Sequence, residues 1–183
     1  MTEPPTHDGI AAATVYNDIS RDLILSFKYG GRIALATMLA KLIAARLPPA
    51  EGDDDLPLLV PVPLHRLRLW RRGFNQAALL AKELAKEGRG DLLVDGLVRR
   101  KSTPPLAGFG SKLRRSILSG AIAINARRRD AVKDRRVMLV DDVLTSGATS
   151  NACVAALKEA GARSVTIACF ARVLSEAEPG NHP

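Results

Sequence analysis

The chain has 183 residues, 46% of them apolar and 25% charged. That suits one folded domain and excludes a collagenous, disordered or disulfide-scaffold chain. The formal charge of +8 is concentrated, because residues 56–136 carry 19 basic and 6 acidic side chains while both flanks are net acidic, so the middle predicts a phosphate-bearing partner.

Residues 1–15 show no periodic pattern and read as a disordered or loosely ordered N-terminus. Glu3, Pro4, Pro5, His7 and Asp8 stand where a secretory signal would need a basic start and an apolar run. Over residues 16–47 the apolar positions recur at helical spacing, first Ile19, Leu23 and Phe27, then Leu35, Leu39 and Leu42. Two helices broken at Gly30 and Gly31 are predicted. The apolar run at 33–47 is interrupted by Lys41 and Arg46 and falls short of the roughly 20 residues that span a bilayer. No transmembrane segment is predicted, and a cytoplasmic location is expected.

Residues 48–57, with Asp53, Asp54 and Asp55, have the composition of a loop. The run LLVPVP at 58–63 predicts a buried strand ended by its prolines. Residues 76–86 set Ala77, Leu80, Ala81 and Leu84 on one helical face. Strand patterns at 92–98 and 120–125 are weaker and enclose a segment containing proline and glycine. Residues 137–141, 148–160, Gly161 and 164–171 spell strand, helix, terminating glycine and strand, a parallel βαβ unit. One domain over 16–174 with a tail at 175–183 is expected. Cys153 and Cys169 belong to no CxxC pair and read as buried, reduced thiols. His7, His65 and His182 are too scattered to form a metal cluster, and no metal-ligating set is predicted.

The segment VMLVDDVLTSGAT, residues 137–149, carries the chemistry. Its apolar strand delivers Asp141 and Asp142 to a C-terminal end, where open α/β sheets bind their ligands. Thr145, Ser146, Gly147, Ala148 and Thr149 then open a helix with backbone N–H groups and hydroxyls suited to a phosphate monoester. The carboxylates would repel a bare phosphate but can accept hydrogen bonds from hydroxyls beside it, so a phosphorylated sugar satisfies both demands. No GxxxxGK[ST] occurs, and the nearest approach to GxGxxG, at 108–113, lacks its third glycine.

This segment resembles the phosphoribosyl pyrophosphate (PRPP) motif of type I phosphoribosyltransferases. Together with FKYGGR (27–32), LVPVPLHRLRLWRRGFNQ (59–76) and residues 103–121, the chain looks like a member of the ComF family. The resemblance implies an α/β fold, a central and mainly parallel sheet flanked by helices, with the N-terminal helices and part of the middle segment as a small hood. It further implies that Thr145 to Thr149 hold the 5′-phosphate, that Asp141 and Asp142 hold the ribose hydroxyls, with Mg²⁺ as cofactor, and that Leu64, His65 and Arg66 lie on the pyrophosphate loop. Arg71, Arg72 and Asn75 follow that loop, and cationic donors there suit departing pyrophosphate. Asp141, Asp142 and Arg72 are the catalytic candidates for transfer of phosphoribose to an acceptor that the sequence leaves unidentified. Lys28 and Tyr29 are candidates for the acceptor pocket.

ComF proteins commonly begin with a zinc module built on CxxC pairs, and this chain supplies no such ligands. The resemblance also implies a second reading, the handling of single-stranded DNA alongside DNA-uptake machinery in natural transformation. Arg68, Trp70, Arg114 and Arg115 are the candidate contacts, since a tryptophan among arginines suits a backbone-tracking groove with one stacking platform.

Overall fold

Parallel strands buried on both faces read as continuous apolar runs, and the two longest strands here are of that kind. A computed structural model describes residues 6–29, 34–48, 56–65, 67, 69–70, 73–101 and 120–174. Its elements are β1 (Gly9–Val15), α1 (Asp18–Tyr29), α2 (Leu35–Ala44), β2 (Leu58–Pro61), α3 (Gln76–Lys86), β3 (Asp91–Leu92), β4 (Leu97–Arg99), β5 (Ile122–Ile124), a 3-10 turn (Ala126–Arg128), α4 (Arg129–Val132), β6 (Arg136–Leu144), α5 (Ala148–Glu159) and β7 (Ser164–Arg172). β6 and β7 run parallel from Arg136 opposite Ser164 to Leu144 opposite Arg172. α5 makes the crossover and stops at Gly161, whose φ of 94° favours a residue without a Cβ.

The main sheet has the order β1-β7-β6-β2-β3, every neighbouring pair parallel. β4 and β5 form a separate antiparallel ribbon. One face of the sheet is covered by α1, α2 and α3, where Ile24, Phe27, Leu39, Ile43, Leu80 and Leu84 pack against Met138, Val140 and Phe170. The other is covered by α5, α4 and the ribbon, where Cys153, Val154, Leu157, Val132 and Ile124 meet Val137, Leu139, Val165 and Ile167. The N-terminal helices are therefore a layer of the core, and the middle segment expected to join them in a hood lies largely outside the described residues. Their apolar stripes, with Phe27, Leu39 and Ile43 wholly buried, find their partner in the sheet.

The expected boundary at residue 16 also moves. Residues 9–15 form an edge strand, with Gly9 opposite Thr166 and Val15 opposite Arg172. Its sequence, GIAAATV, is small and only partly buried, so it shows neither the alternation nor the bulk that marks a strand. The pattern at 92–98 divides between the two sheets, because Val94 and Asp95 turn the chain and the Gly96 N–H donates to the Leu93 carbonyl at 3.4 Å. The tail at 175–183 lies outside the described residues.

Asp8 fastens the edge strand. Its Oδ2 accepts from the Val165 N–H at 2.6 Å and lies 2.6 Å from Lys158 Nζ. The Lys158 ammonium first, and the Val165 N–H second, hold the Asp8 carboxyl below its usual range. A depressed folded-state pKa gives stability that is complete above the unfolded value of about 3.9 and is lost as pH falls through the folded value. Asp8→Asn is thus expected to lower the Tm at pH 7 and to converge on the parent toward pH 3. Thermal melts at both pH values check this, and an equal deficit at both would count against the clamp.

Candidate functional site

Two neighbouring strands of the sheet send their chains in opposite directions. β2 leads through α3 to β3 on one side, and β6 leads through α5 to β7 on the other, with α3 and α5 on opposite faces. A crevice outside the carboxyl ends of β2 and β6 is the consequence, and that switch in topology is where ligands bind in open α/β sheets. Residues 145–147 form one lip. Residues 62–65 and 73–75 contribute to the other.

On the β6 lip, Asp141 and Asp142 occupy the strand's end. Asp141 Oδ1 accepts from the Asp142 N–H at 2.8 Å, and Asp142 Oδ1 from the Val143 N–H at 2.8 Å. Each carboxylate is thereby fixed by the backbone of the next residue. Asp141 keeps some solvent contact yet is closely surrounded by protein. Burial first, and the charge of Asp142 second, push its carboxyl well above the ordinary range. Both cysteines flank it: Cys169 is its register partner on β7, and burial followed by the charge of Asp141 pushes that thiol up to about 12. The Cys153 thiol is raised for the same two reasons. Both are buried and free, and thiols held in that state are inert.

Beyond the strand, Thr145 and Ser146 are exposed, and Gly147 starts α5 with φ 71° and no side-chain cap. The Asn151 N–H closes the first helical turn on the Gly147 carbonyl at 2.7 Å. The N–H groups of the opening turn then point out of the helix end, an arrangement suited to an anion. A Cβ at Gly147 would meet only the Asn151 side chain, at 3.7 to 3.9 Å. The constraint at this position is therefore torsional, since positive φ disfavours any branched residue.

On the β2 lip, Val62 extends the ladder by donating its N–H to the Val140 carbonyl at 2.9 Å. Asn75, expected near pyrophosphate, uses both ends of its amide within the fold. Its Oδ1 accepts from the Ala77 N–H at 3.0 Å and caps α3, while its Nδ2 donates to the Val62 carbonyl at 3.0 Å. Leu64 and His65 are half-buried, and His65 Nδ1 accepts from the Leu67 N–H at 3.3 Å. Trp70 is 85% exposed, so it is not a core tryptophan. Arg66, Arg68, Arg71, Arg72, Arg114 and Arg115 lie outside the described residues. Part of the basic cluster at 127–136 is engaged structurally: Arg128 Nε lies 2.9 Å from Asp95 Oδ1, and Arg135 pairs with Asp91 at 2.9 Å.

Lys28 joins the site from α1. Asn17 Oδ1 and Ser20 Oγ cap the start of that helix reciprocally, each accepting the other's N–H at 2.9 and 2.8 Å. At its far end, Lys28 Nζ lies 2.8 Å from Asp142 Oδ2. Sequence reasoning places Lys28 beside the acceptor but misses this partner. FKYGGR, one of the blocks that carry the family resemblance, marks the residue but not its partner.

The family model described as the phosphoribosyl transferase domain matches residues 69–183. Competence protein F of Haemophilus influenzae is 31% identical over 94% of this chain and 76% of its own. The chain belongs to the ComF family of phosphoribosyltransferase-like proteins. A second ComF relative, DNA utilization protein YhgH of Escherichia coli strain K12, is 28% identical over 95% of this chain and 76% of its own. The fold of this ComF chain is similar to that of the allosteric regulatory enzyme of purine biosynthesis, with a TM-score of 0.50 at 20% identity. That match covers 79% of this chain and 29% of the other, and it concerns the fold alone. Among the described residues, no helix is long and apolar enough to cross a membrane.

Proposed function

We propose that the crevice between β2 and β6 binds PRPP, or its product-like fragment ribose 5-phosphate, and transfers phosphoribose to an acceptor with release of pyrophosphate. The observation that carries this reading is the junction of β6 and α5, where two backbone-fixed carboxylates adjoin a helix start that has no side-chain cap. The 5′-phosphate would lie against Thr145 to Thr149 and the helix N-terminus, which favours negative charge. Asp141 and Asp142 would accept hydrogen bonds from the ribose 2′- and 3′-hydroxyls. Ionised acceptors make strong hydrogen bonds of this kind.

Catalysis on these terms is chiefly orientation and stabilisation of a departing anion. Holding the sugar by its phosphate and its diol fixes the anomeric carbon between the two lips. Leu64, His65 and the arginines assigned from sequence, Arg66, Arg71 and Arg72, would receive pyrophosphate, while Asn75 fixes the β2 lip through its cap and its bond to Val62.

The donor set also suits Mg²⁺, which is characteristically held by one or two carboxylates and completed by substrate phosphate oxygens. Among the described residues no three His, Cys, Asp or Glu side chains gather, so the ligand would supply most of the coordination, with Asp141 and Asp142 as the protein's part. When bound, the cation would neutralise charge developing on pyrophosphate. Titration of the chain with PRPP and Mg²⁺, followed by a pyrophosphate-release assay across free nucleobases, tests the reading. Saturable binding with turnover supports it, and the lack of saturable PRPP binding overturns it.

A second reading, single-stranded DNA handling with PRPP bound but little turnover, is favoured by the exposure of Trp70 and by the names of the relatives, which speak of competence and DNA utilization. DNA and the DNA-uptake machinery are the partners it implies, within the cytoplasm. DNA binding without pyrophosphate release would favour it over the transferase.

A further inference from the structure

The last turn of α1 touches both lips of the crevice. Phe27 is wholly buried, and its ring centroid lies 6.2 Å from that of Phe74, which belongs to the segment leaving β2. The next residue, Lys28, carries its ammonium to 2.8 Å from Asp142 Oδ2 on the β6 lip. The Lys28 and Asp142 side chains are 22% and 11% exposed, so neither charge is freely bathed in water. Asp142 Oδ1 is occupied by the Val143 N–H, and Oδ2 is buried without a directed hydrogen bond. The ammonium thus faces the one oxygen the backbone leaves over, close in distance but out of line for hydrogen bonding.

A buried phenylalanine immediately before it gives this lysine a rigid mount. One cation then stands against Asp142 beside a second carboxylate, and two like charges in a partly dry site favour a cation next to them. We propose that Lys28 is the resident counter-ion of the Asp141 and Asp142 pair, competing with divalent cations for Asp142 and allowing a phosphorylated sugar to bind without one. Lys28 is a positioning residue in this scheme: it acts on the ligand through Asp142.

The inference deepens the phosphoribosyl reading and rests on it for the sugar, while its cation arm stands apart. Calorimetric titration with Mg²⁺ alone would compare the parent with Lys28→Met, Lys28→Gln and Lys28→Arg. Removing a positive charge so near the carboxylate is expected to tighten Mg²⁺ binding at least about tenfold in the Met and Gln variants, whereas Arg, which keeps the charge, should match the parent. Adding Asp142→Asn to Lys28→Met should abolish the gain. Equal Mg²⁺ affinity in the parent and both neutral variants overturns the proposal, as does a gain that survives Asp142→Asn. If Lys28→Met does not fold, Lys28→Gln carries the comparison.

A second titration with ribose 5-phosphate separates the two claims. The parent is expected to bind the sugar with or without Mg²⁺, and Lys28→Met only with it. Binding of sugar that is equally indifferent to Mg²⁺ in both proteins counts against the counter-ion. A cation gain together with no sugar binding in any variant sinks the phosphoribosyl reading and leaves the counter-ion assignment intact.

Discussion

Replacing Asp141 and Asp142 together by alanine is expected to weaken ribose 5-phosphate binding at least about hundredfold. Each hydrogen bond to an ionised group contributes about 1.5–3 kcal/mol, and two such bonds at the lower figure, about 3 kcal/mol, already give that factor. Inorganic phosphate should behave differently. It has no hydroxyls in place of the ribose diol, and removing two negative charges beside the cradle would leave its affinity unchanged or slightly higher. Gly147→Val should weaken sugar phosphate and inorganic phosphate alike, because a β-branched residue at φ 71° costs on the order of 1–3 kcal/mol in backbone strain and displaces the helix start that faces the anion. Calorimetry with both ligands on both variants resolves the two halves of the site. Undiminished ribose 5-phosphate affinity in both would remove this crevice as the binding site.

The second large effect concerns salt. If single-stranded DNA binds through the basic middle of the chain, log affinity should fall linearly with log salt, each neutralised phosphate contributing about 0.7 to the slope. Arg71→Ala with Arg72→Ala should flatten that slope by roughly one to one and a half units. Trp70→Ala should leave the slope unchanged and cost about 1–3 kcal/mol, the usual value of one stacked base. Because Trp70 is 85% exposed, its removal should barely move the Tm, so lost affinity would report lost contact and not lost structure. Filter binding at three salt concentrations measures both quantities. A slope near zero in the parent would eliminate the DNA reading.

The βαβ unit at the C-terminal side was legible because each of its signals is local. Apolar runs mark β6 and β7, Gly161 ends α5, and the small residues after Leu144 mark a helix start. Most of the carboxylate site follows from the same thirteen residues. What escaped depends on neighbours distant in sequence. β1 is made of small residues whose only strand-forming argument is the edge of β7 beside it, and nothing in FKYGGR announces that Lys28 will meet Asp142. Asn75 illustrates a structural role that the sequence leaves open. A polar residue before a helix suits both ligand binding and capping, and only the positions of Ala77 and Val62 show that its amide is already engaged.

The placement of β1 has a consequence for how the chain acquires its shape. Among the described residues β1 lies at an edge of the sheet and pairs with β7, the strand most distant from it in sequence; the Asp8 contact with Val165 joins residues 157 positions apart. Closing so long a loop carries an entropic cost that no nearby contact repays, and such pairings form late and slowly. During synthesis β1 therefore waits, without its hydrogen-bonding neighbour, until β7 has emerged from the ribosome. The ladder between β1 and β7 acts as a seal set late in folding, and a chain interrupted before β7 would carry an orphan strand open to pairing with other chains.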